Sequence, residues 1–434
     1  VSITESPSAV RAAHRQISGA LVLSVTMLGV AGANYVLNLV LARSLSAAEF
    51  GDANLAVNLV LIAAAAAATF QLLSARSGPT DERAGIDSRR RLTRCAWIIG
   101  GCAGAGMALG SSALADAFNT STPWVFVVIG VGLPVYLAQA VARGALQGDL
   151  RLAHLALSYA AEAAVRVGIG VVMLALGYGA VGAAIAISLS FVASALVARH
   201  RAAAAGTGLA GSGSRADTES RVTAALSVAA TVLLTAQVVI ANGDVLLAKV
   251  LMAPEAAGDY AAAAVIGRGL YFLSWAVVHS TFPVVARAHS REQRRRAVHR
   301  ALLMVGAIGV SGVAAMVGAG DRLAPVLLGD GYHDAAAVLV PYAIATALFA
   351  AANLIASVDL AVGRWHGAAA LMTGAVVQTL LLVACGTTPM SMAVAQVVAM
   401  SFTALLVGAA HLWDNRTELR SFQPASVADE LGEH

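Results

Sequence analysis

The sequence predicts an all-α membrane protein of about twelve transmembrane helices in two six-helix lobes, and three observations predict it. Apolar residues make up 59% of the chain and charged residues only 12%, against roughly 45–50% and 25% in soluble domains. The apolar material comes in runs of about 20 residues, the length a helix needs to cross hydrocarbon, strung along nearly the whole chain. Those runs are rich in Ala and Leu and do not alternate with polar residues, so they satisfy their backbone as helices and not as barrel strands.

Taken in order, the spans fall near 17–42, 53–75, 95–118, 124–146, 153–176 and 180–198, then 222–250, 259–285, 301–320, 335–358, 367–386 and 390–412. The stretch between the two sets contains GTGLAGSGSRADTESR, whose Gly, Ser and charge content reads as a flexible linker. This predicts an N-terminal tail at 1–16, an N-lobe at 17–198, the linker at 199–221, a C-lobe at 222–412 and a tail at 413–434. The polar first residues, with Arg11 and Arg15, predict a cytoplasmic tail and no cleavable signal peptide.

Arginine placement gives orientation, because short basic loops stay on the cytoplasmic side. One side of the predicted topology holds Arg76, Arg83, the SRRRLTR cluster, Arg143, Arg151, the linker, the SREQRRRAVHR segment, Arg364, Arg416 and Arg420. The other holds only Arg43, Lys249 and Arg322. Alternate loops obey the rule, which predicts a multi-pass protein of the bacterial cytoplasmic membrane with both termini cytoplasmic. The basic balance therefore sets topology and touches anionic lipid, and a nucleic-acid partner is not expected. Cys95, Cys102 and Cys385 have no metal-ligand spacing and read as free thiols, so no metal is expected.

An internal repeat supports the halving. LARSLSAAEFGDA, Leu41 to Ala53, aligns with LAKVLMAPEAAGDYA, Leu247 to Ala261, so that a basic residue, a glutamate and a Gly-Asp pair coincide. Two halves that both start in the cytoplasm are parallel repeats about an axis along the membrane normal, a transporter plan.

The segments AAEFGDANLAV after span one, GALQGDLR after span four and GYGAVGA between spans five and six carry a family resemblance. So do APEAAGDYAAAAVIGRGLYFLSWAVVHSTFPVVARA across span eight and LLGDGYHDAAAVLVPYAIATALFAAANLIASVDLAVGR around span ten. In their order and spacing the chain resembles the Wzx-type polysaccharide-biosynthesis flippases of the multidrug/oligosaccharidyl-lipid/polysaccharide (MOP) exporter superfamily. The resemblance implies a MOP/MATE-like bundle with a central cavity lined chiefly by the first two helices of each lobe and opening alternately to either side. It implies a polyprenyl-pyrophosphate-linked oligosaccharide as substrate, ion coupling in some members, and a glycan polymerase or glycosyltransferases as partners beside the membrane lipids. Drug exporters share this architecture, so a cation-coupled multidrug exporter stands as the alternative. A non-transporting scaffold of a glycan-synthesis complex is the alternative from another class.

Charges deep in a bilayer are costly and face protein or water, which makes them the first candidates for function. Arg268, mid-way along span eight, is a candidate for engaging pyrophosphate through its forked guanidinium, or else a structural arginine bonded to helix carbonyls. Glu162 and Arg166 lie four apart on span five and share a helix face. Mutual neutralisation is the plain reading. The sharper one is that an anionic headgroup competes for Arg166 and frees Glu162 for a proton or sodium ion. Asn34 and Asn38 on span one, with Asn242 and Asp244 on span seven, are expected at matching places in the repeat, as cavity residues or as interhelical hydrogen bonders, and Asp244 is a second candidate for ion coupling. Gln139, Gln237, Gln378 and Gln396 read as interhelical bonders, while Gln71 and Asn58 are pore-lining candidates whose direction the sequence does not give. No enzyme signature is present: there is no P-loop, no HExxH and no metal-spaced Cys/His cluster. No cofactor is expected beyond a coupling Na⁺ or H⁺.

Overall fold

The structure, a computed structural model, describes residues 7–76, 82–203, 219–286, 290–329, 332 and 335–421. Most of the predicted linker, 204–218, and the ends of both tails lie outside the described residues. The described chain is entirely helical: α1 (Pro7–Ser44), α2 (Ala47–Arg76), α3 (Glu82–Leu109), α4 (Ser111–Ala117), α5 (Trp124–Gly148), α6 (Leu152–Ala175), α7 (Gly179–Ala203), α8 (Glu219–Leu251), α9 (Pro254–Ala286), α10 (Arg291–Leu328), α11 (Ala335–Ala361), α12 (His366–Cys385) and α13 (Pro389–Ser421). All but α4 are long and apolar enough to cross a membrane, which gives the twelve candidate spans the sequence predicts.

Several boundaries depart from the expected spans, among them the starts of α1 at Pro7 and α3 at Glu82 and the end of α13 at Ser421, and two have a local cause. Span three was expected at 95–118, but its helix stops at Leu109. Gly110, with ψ of 8°, leaves the helical region, and the short α4 follows as a separate turn. At the other departure α10 starts at Arg291, ten residues before the expected 301, because the arginine-rich segment is good helix former and continues the helix past the hydrocarbon.

The chain clusters into two compact units. The first comprises Val1–Ala216, Val245–Val265 and Arg322–Ala335, and the second Asp217–Asp244, Ile266–Asp321 and Ala336–His434. In the first, α5 is the central helix: α2, α3, α6 and α7 all pack on it, and α1 packs on α6. Its transmembrane window is 61% buried against 17% for α6. A charge on α5 is therefore an interior charge. In the second unit α12 packs on α13, and the core runs from Ala229, Leu233, Ala236 and Ile240 of α8 to Phe349, Ala352 and Ala356 of α11 and Ala399, Met400 and Val407 of α13. A satellite cluster joins Val277, Val278 and Val285 of α9 to Ala301 and Val305 of α10 and to Leu354 of α11. Much of both cores is alanine. Lipid offers no hydrophobic drive between helices, so small residues that let backbones approach supply the association energy through close contact.

Candidate functional site

Span five places Glu162 and Arg166 one turn apart on α6, and the pairing expected from that spacing is present at 2.5 Å. A third charge joins it. Arg143, from central α5, reaches the other carboxylate oxygen of Glu162 at 2.7 Å and is itself 5% exposed. Arg143, grouped above with the cytoplasmic-side residues that set topology, is instead an interior charge, five residues inside the end of α5. Its Nε donates to Ser158 Oγ at 3.0 Å and its Nη2 to Ser194 Oγ at 2.6 Å, while its guanidinium lies 3.9 Å over the Tyr159 ring. Arg166 donates to Ser190 Oγ at 3.3 Å and to Asn34 Oδ1 of α1 at 3.4 Å. Two guanidiniums thus share one carboxylate, so the cluster carries one positive charge in excess. Burying that excess is expensive, and the surrounding hydroxyls only moderate it. Both oxygens of Glu162 are occupied by guanidinium donors.

Asn38, the other span-one candidate, donates to the carbonyl of Asn34 one turn back on its own helix at 2.9 Å. Asn58 donates to Asn54 in the same way, and Gln71 Nε2 donates to Gln147 Oε1 at 2.8 Å.

The second unit builds its own polar cluster around Asp244 of α8, which is fully buried. Arg268 of α9 approaches Asp244 Oδ1 at 3.3 Å. Tyr342 of α11 donates its hydroxyl to Oδ2 at 2.9 Å, and Gln396 of α13 donates to the same oxygen at 3.4 Å. Tyr342 comes this close because Gly267 leaves room: a Cβ there would run into the tyrosine ring. The cluster lines a cavity of about 20 Å³, enough for a single water-sized group, walled by Tyr271 and Phe349, whose rings stack at 5.2 Å. Asn242 does not join it, donating instead to the Val238 carbonyl of its own helix at 2.9 Å. The glutamines expected to bond between helices do so here: Gln237 to Asn353 at 2.6 Å, Gln378 to the Ile240 carbonyl at 3.2 Å, and Gln396 as above. Removing the hydroxyl with Tyr342→Phe takes one hydrogen bond from a buried carboxylate and is expected to lower stability by about 1.5–3 kcal/mol, read as a fall in the thermal-unfolding midpoint in detergent.

The repeat residues make a third cluster, whose members the sequence shows only as matching positions of the two copies. Lys249, the sole lysine of the chain, is fully buried and bonds Asp52 at 2.7 Å. The second carboxylate oxygen of Asp52 accepts from the backbone N–H and the hydroxyl of Ser121, at 3.0 and 2.7 Å. Around the pair, Gly258 at the start of α9 lies so close to the Ala47 carbonyl at the start of α2 that any Cβ would collide with it. Tyr332 donates to the Ala42 carbonyl at 2.7 Å and meets the Phe50 ring edge-on. The end of α1, the start of α2, the end of α8 and the start of α9 are thus tied around a buried ion pair. The aspartate of one repeat copy thus pairs with the basic residue of the other, a contact that the matching of the two copies does not itself predict.

At the sequence level the chain matches no protein-family profile and no curated protein. Its structure, by contrast, is similar to solved membrane transporters. A multidrug resistance MATE family transporter of the MOP superfamily, in an inward-facing conformation, superposes with a TM-score of 0.73 at 14% identity, covering 94% of this chain and 100% of that one. The lipid II flippase MurJ, in an inward closed conformation, gives 0.68 at 9% identity over 91% of this chain and 87% of that one. The eukaryotic MATE transporter AtDTX14 gives 0.64 at 14% identity, over 93% and 98%. At such identities the likeness is one of fold. The chain is a multi-pass, all-helical membrane protein with the fold of the MATE and MOP-superfamily transporters and of MurJ, and these structural neighbours are transporters and flippases rather than enzymes.

Proposed function

We propose that the chain is a flippase that moves a polyprenyl-pyrophosphate-linked oligosaccharide across a bacterial cytoplasmic membrane by alternating access. The observation that carries this reading is the Arg143–Glu162–Arg166 cluster, with two guanidiniums to one carboxylate inside spanning helices. An uncompensated positive charge in a low-dielectric bundle attracts an anion and repels a cation, and a guanidinium fork suits the paired oxygens of a pyrophosphate. An exporter of cationic drugs gains nothing from it. A headgroup that draws Arg166 or Arg143 onto itself leaves Glu162 with a free oxygen, able to take a proton or Na⁺. Asp244, shared among Arg268, Tyr342 and Gln396, offers the same exchange in the second unit. Arginine asymmetry between loops supports cytoplasmic termini, and glycosyltransferases or a polymerase would be the partners that load and consume such a substrate. The likeness to a multidrug MATE transporter at TM-score 0.73 keeps cation-coupled drug export as the second reading.

Deletion of the gene in a strain without a second flippase is expected to abolish surface glycan while lipid-linked precursor accumulates inside. Unchanged surface glycan, together with altered drug sensitivity, would favour export and reject flipping.

A further inference from the structure

Gln139 departs from the other interior glutamines. It lies on central α5, is 1% exposed, and neither its amide nitrogen nor its amide oxygen has a hydrogen-bond partner among the described residues. A buried amide left unsatisfied at both ends is costly, and a ligand that bonds both ends removes that cost. The side chain lines a cavity of about 180 Å³ in the first unit, bounded by Ala64, Ala67 and Gln71 of α2, by Tyr136 and Arg143 of α5, and by Tyr159 of α6. By volume it has room for about six waters. The exposed Ala68 also lines it, and a floor of alanines leaves it without bulky side chains from α2.

The chemistry of the lining selects among occupants. A cation is disfavoured by the excess positive charge next door. A bare phosphate is poorly matched as well, because Arg143, the one charged lining residue, directs its donors to Ser158, Glu162 and Ser194, and the other lining groups are neutral. Those groups are the unpartnered carboxamide of Gln139, the phenol of Tyr136, the Tyr159 phenol and Gln71 carboxamide, which bond each other at 3.4 Å, and alanine methyls. A donor and an acceptor side by side, with aromatic rings and apolar floor, match the hydroxyl or acetamido groups and the C–H faces of a pyranose. We infer that this cavity is a subsite for a neutral sugar ring, and that the ring is the first sugar of the headgroup, bonded directly to the pyrophosphate. Arg143 fixes that register: it lines the cavity and belongs to the charge cluster, so an anion on the cluster places its attached sugar beside Gln139. The inference rests on the flippase reading for its substrate, and it adds which part of the headgroup is read for identity, and where.

Two measurements on the purified full chain separate the inference from that reading. In vesicles, translocation of polyprenyl pyrophosphate bearing one sugar is compared with that of sugar-free polyprenyl pyrophosphate. Gln139→Leu is expected to slow the sugar-bearing lipid about tenfold, the cost of losing one buried amide's hydrogen bonds, and to leave the sugar-free lipid unchanged. Ala64→Leu, which narrows the cavity without touching Gln139, is expected to show the same selectivity. Equal slowing of both lipids, or no slowing of either, overturns the subsite. Independently of transport, methyl glucoside, methyl galactoside and methyl N-acetylglucosaminide are titrated into the detergent-solubilised protein. At least one is expected to raise the unfolding temperature of the native chain and not of Gln139→Leu. Glycoside binding without any lipid translocation keeps the subsite and removes the flippase reading; no glycoside effect on the native chain removes the subsite.

Discussion

Lys249→Met is expected to destabilise the folded protein by about 3–5 kcal/mol, because it leaves the carboxylate of Asp52 buried without its counter-charge. Methionine is close to lysine in length and apolar, so the loss reports the missing charge and not a cavity. The second carboxylate oxygen of Asp52 keeps its bonds from Ser121, which moderates the penalty without removing it. The double variant Asp52→Asn with Lys249→Met removes both charges and is expected to regain most of the loss. Thermal unfolding of the two variants in the same detergent checks this. A double variant as unstable as the single one would mean that packing around Phe50 and Tyr332, and not charge pairing, holds these four helix ends together.

Glu162→Gln is expected to have a comparable effect by the opposite imbalance. It removes the one carboxylate shared by Arg143 and Arg166, so that two guanidiniums remain in the bundle with serine hydroxyls, the Ser158 carbonyl, Asn34 and a glutamine carbonyl as uncharged acceptors. About 3–5 kcal/mol is the scale for breaking a buried pair, and here one substitution breaks two. Adding Arg166→Gln takes away the less buried of the two cations and is expected to recover part of the loss, since Arg143 keeps Ser158, Ser194 and the Tyr159 face. Adding Arg143→Gln in its place leaves Arg166, which has fewer alternative partners, and is expected to recover less. Thermal unfolding of the three proteins gives the order; recovery in the reverse order would show that Arg166, and not Arg143, is the better accommodated charge.

Helix existence was legible from the sequence because hydrocarbon imposes it: twenty apolar residues admit one backbone solution. What the sequence left open were several boundaries, Gly110 and Arg291 among them, where local backbone and not lipid decides. The Glu162–Arg166 contact was legible as well, since a four-residue spacing on a helix fixes it regardless of neighbours. Arg143 was not, because its distance from Glu162 along the chain says nothing about the turn between α5 and α6 that brings them face to face. Asp52 and Lys249, nearly 200 residues apart, were visible only as matching positions in the repeat. Nothing in one chain says that a residue of one copy will bond its counterpart's partner in the other. Gln139 looked like any interior glutamine; only three-dimensional packing distinguishes an amide with partners, such as Gln237, from one without.

The central claim is that an excess positive charge held inside spanning helices receives an anionic lipid headgroup. Its most direct measurement is translocation in vesicles of a fluorescent polyprenyl-pyrophosphate glycan by the native chain and by Arg166→Ala, alongside a cationic dye. Arg166→Ala leaves the Arg143–Glu162 pair intact and cancels only the excess charge. The native chain is expected to move the glycan lipid well above protein-free vesicles and to ignore the dye, and the variant to lose about an order of magnitude of that rate. A native chain that carries the dye but not the glycan lipid, or a folded variant that flips as fast as the native, would contradict it.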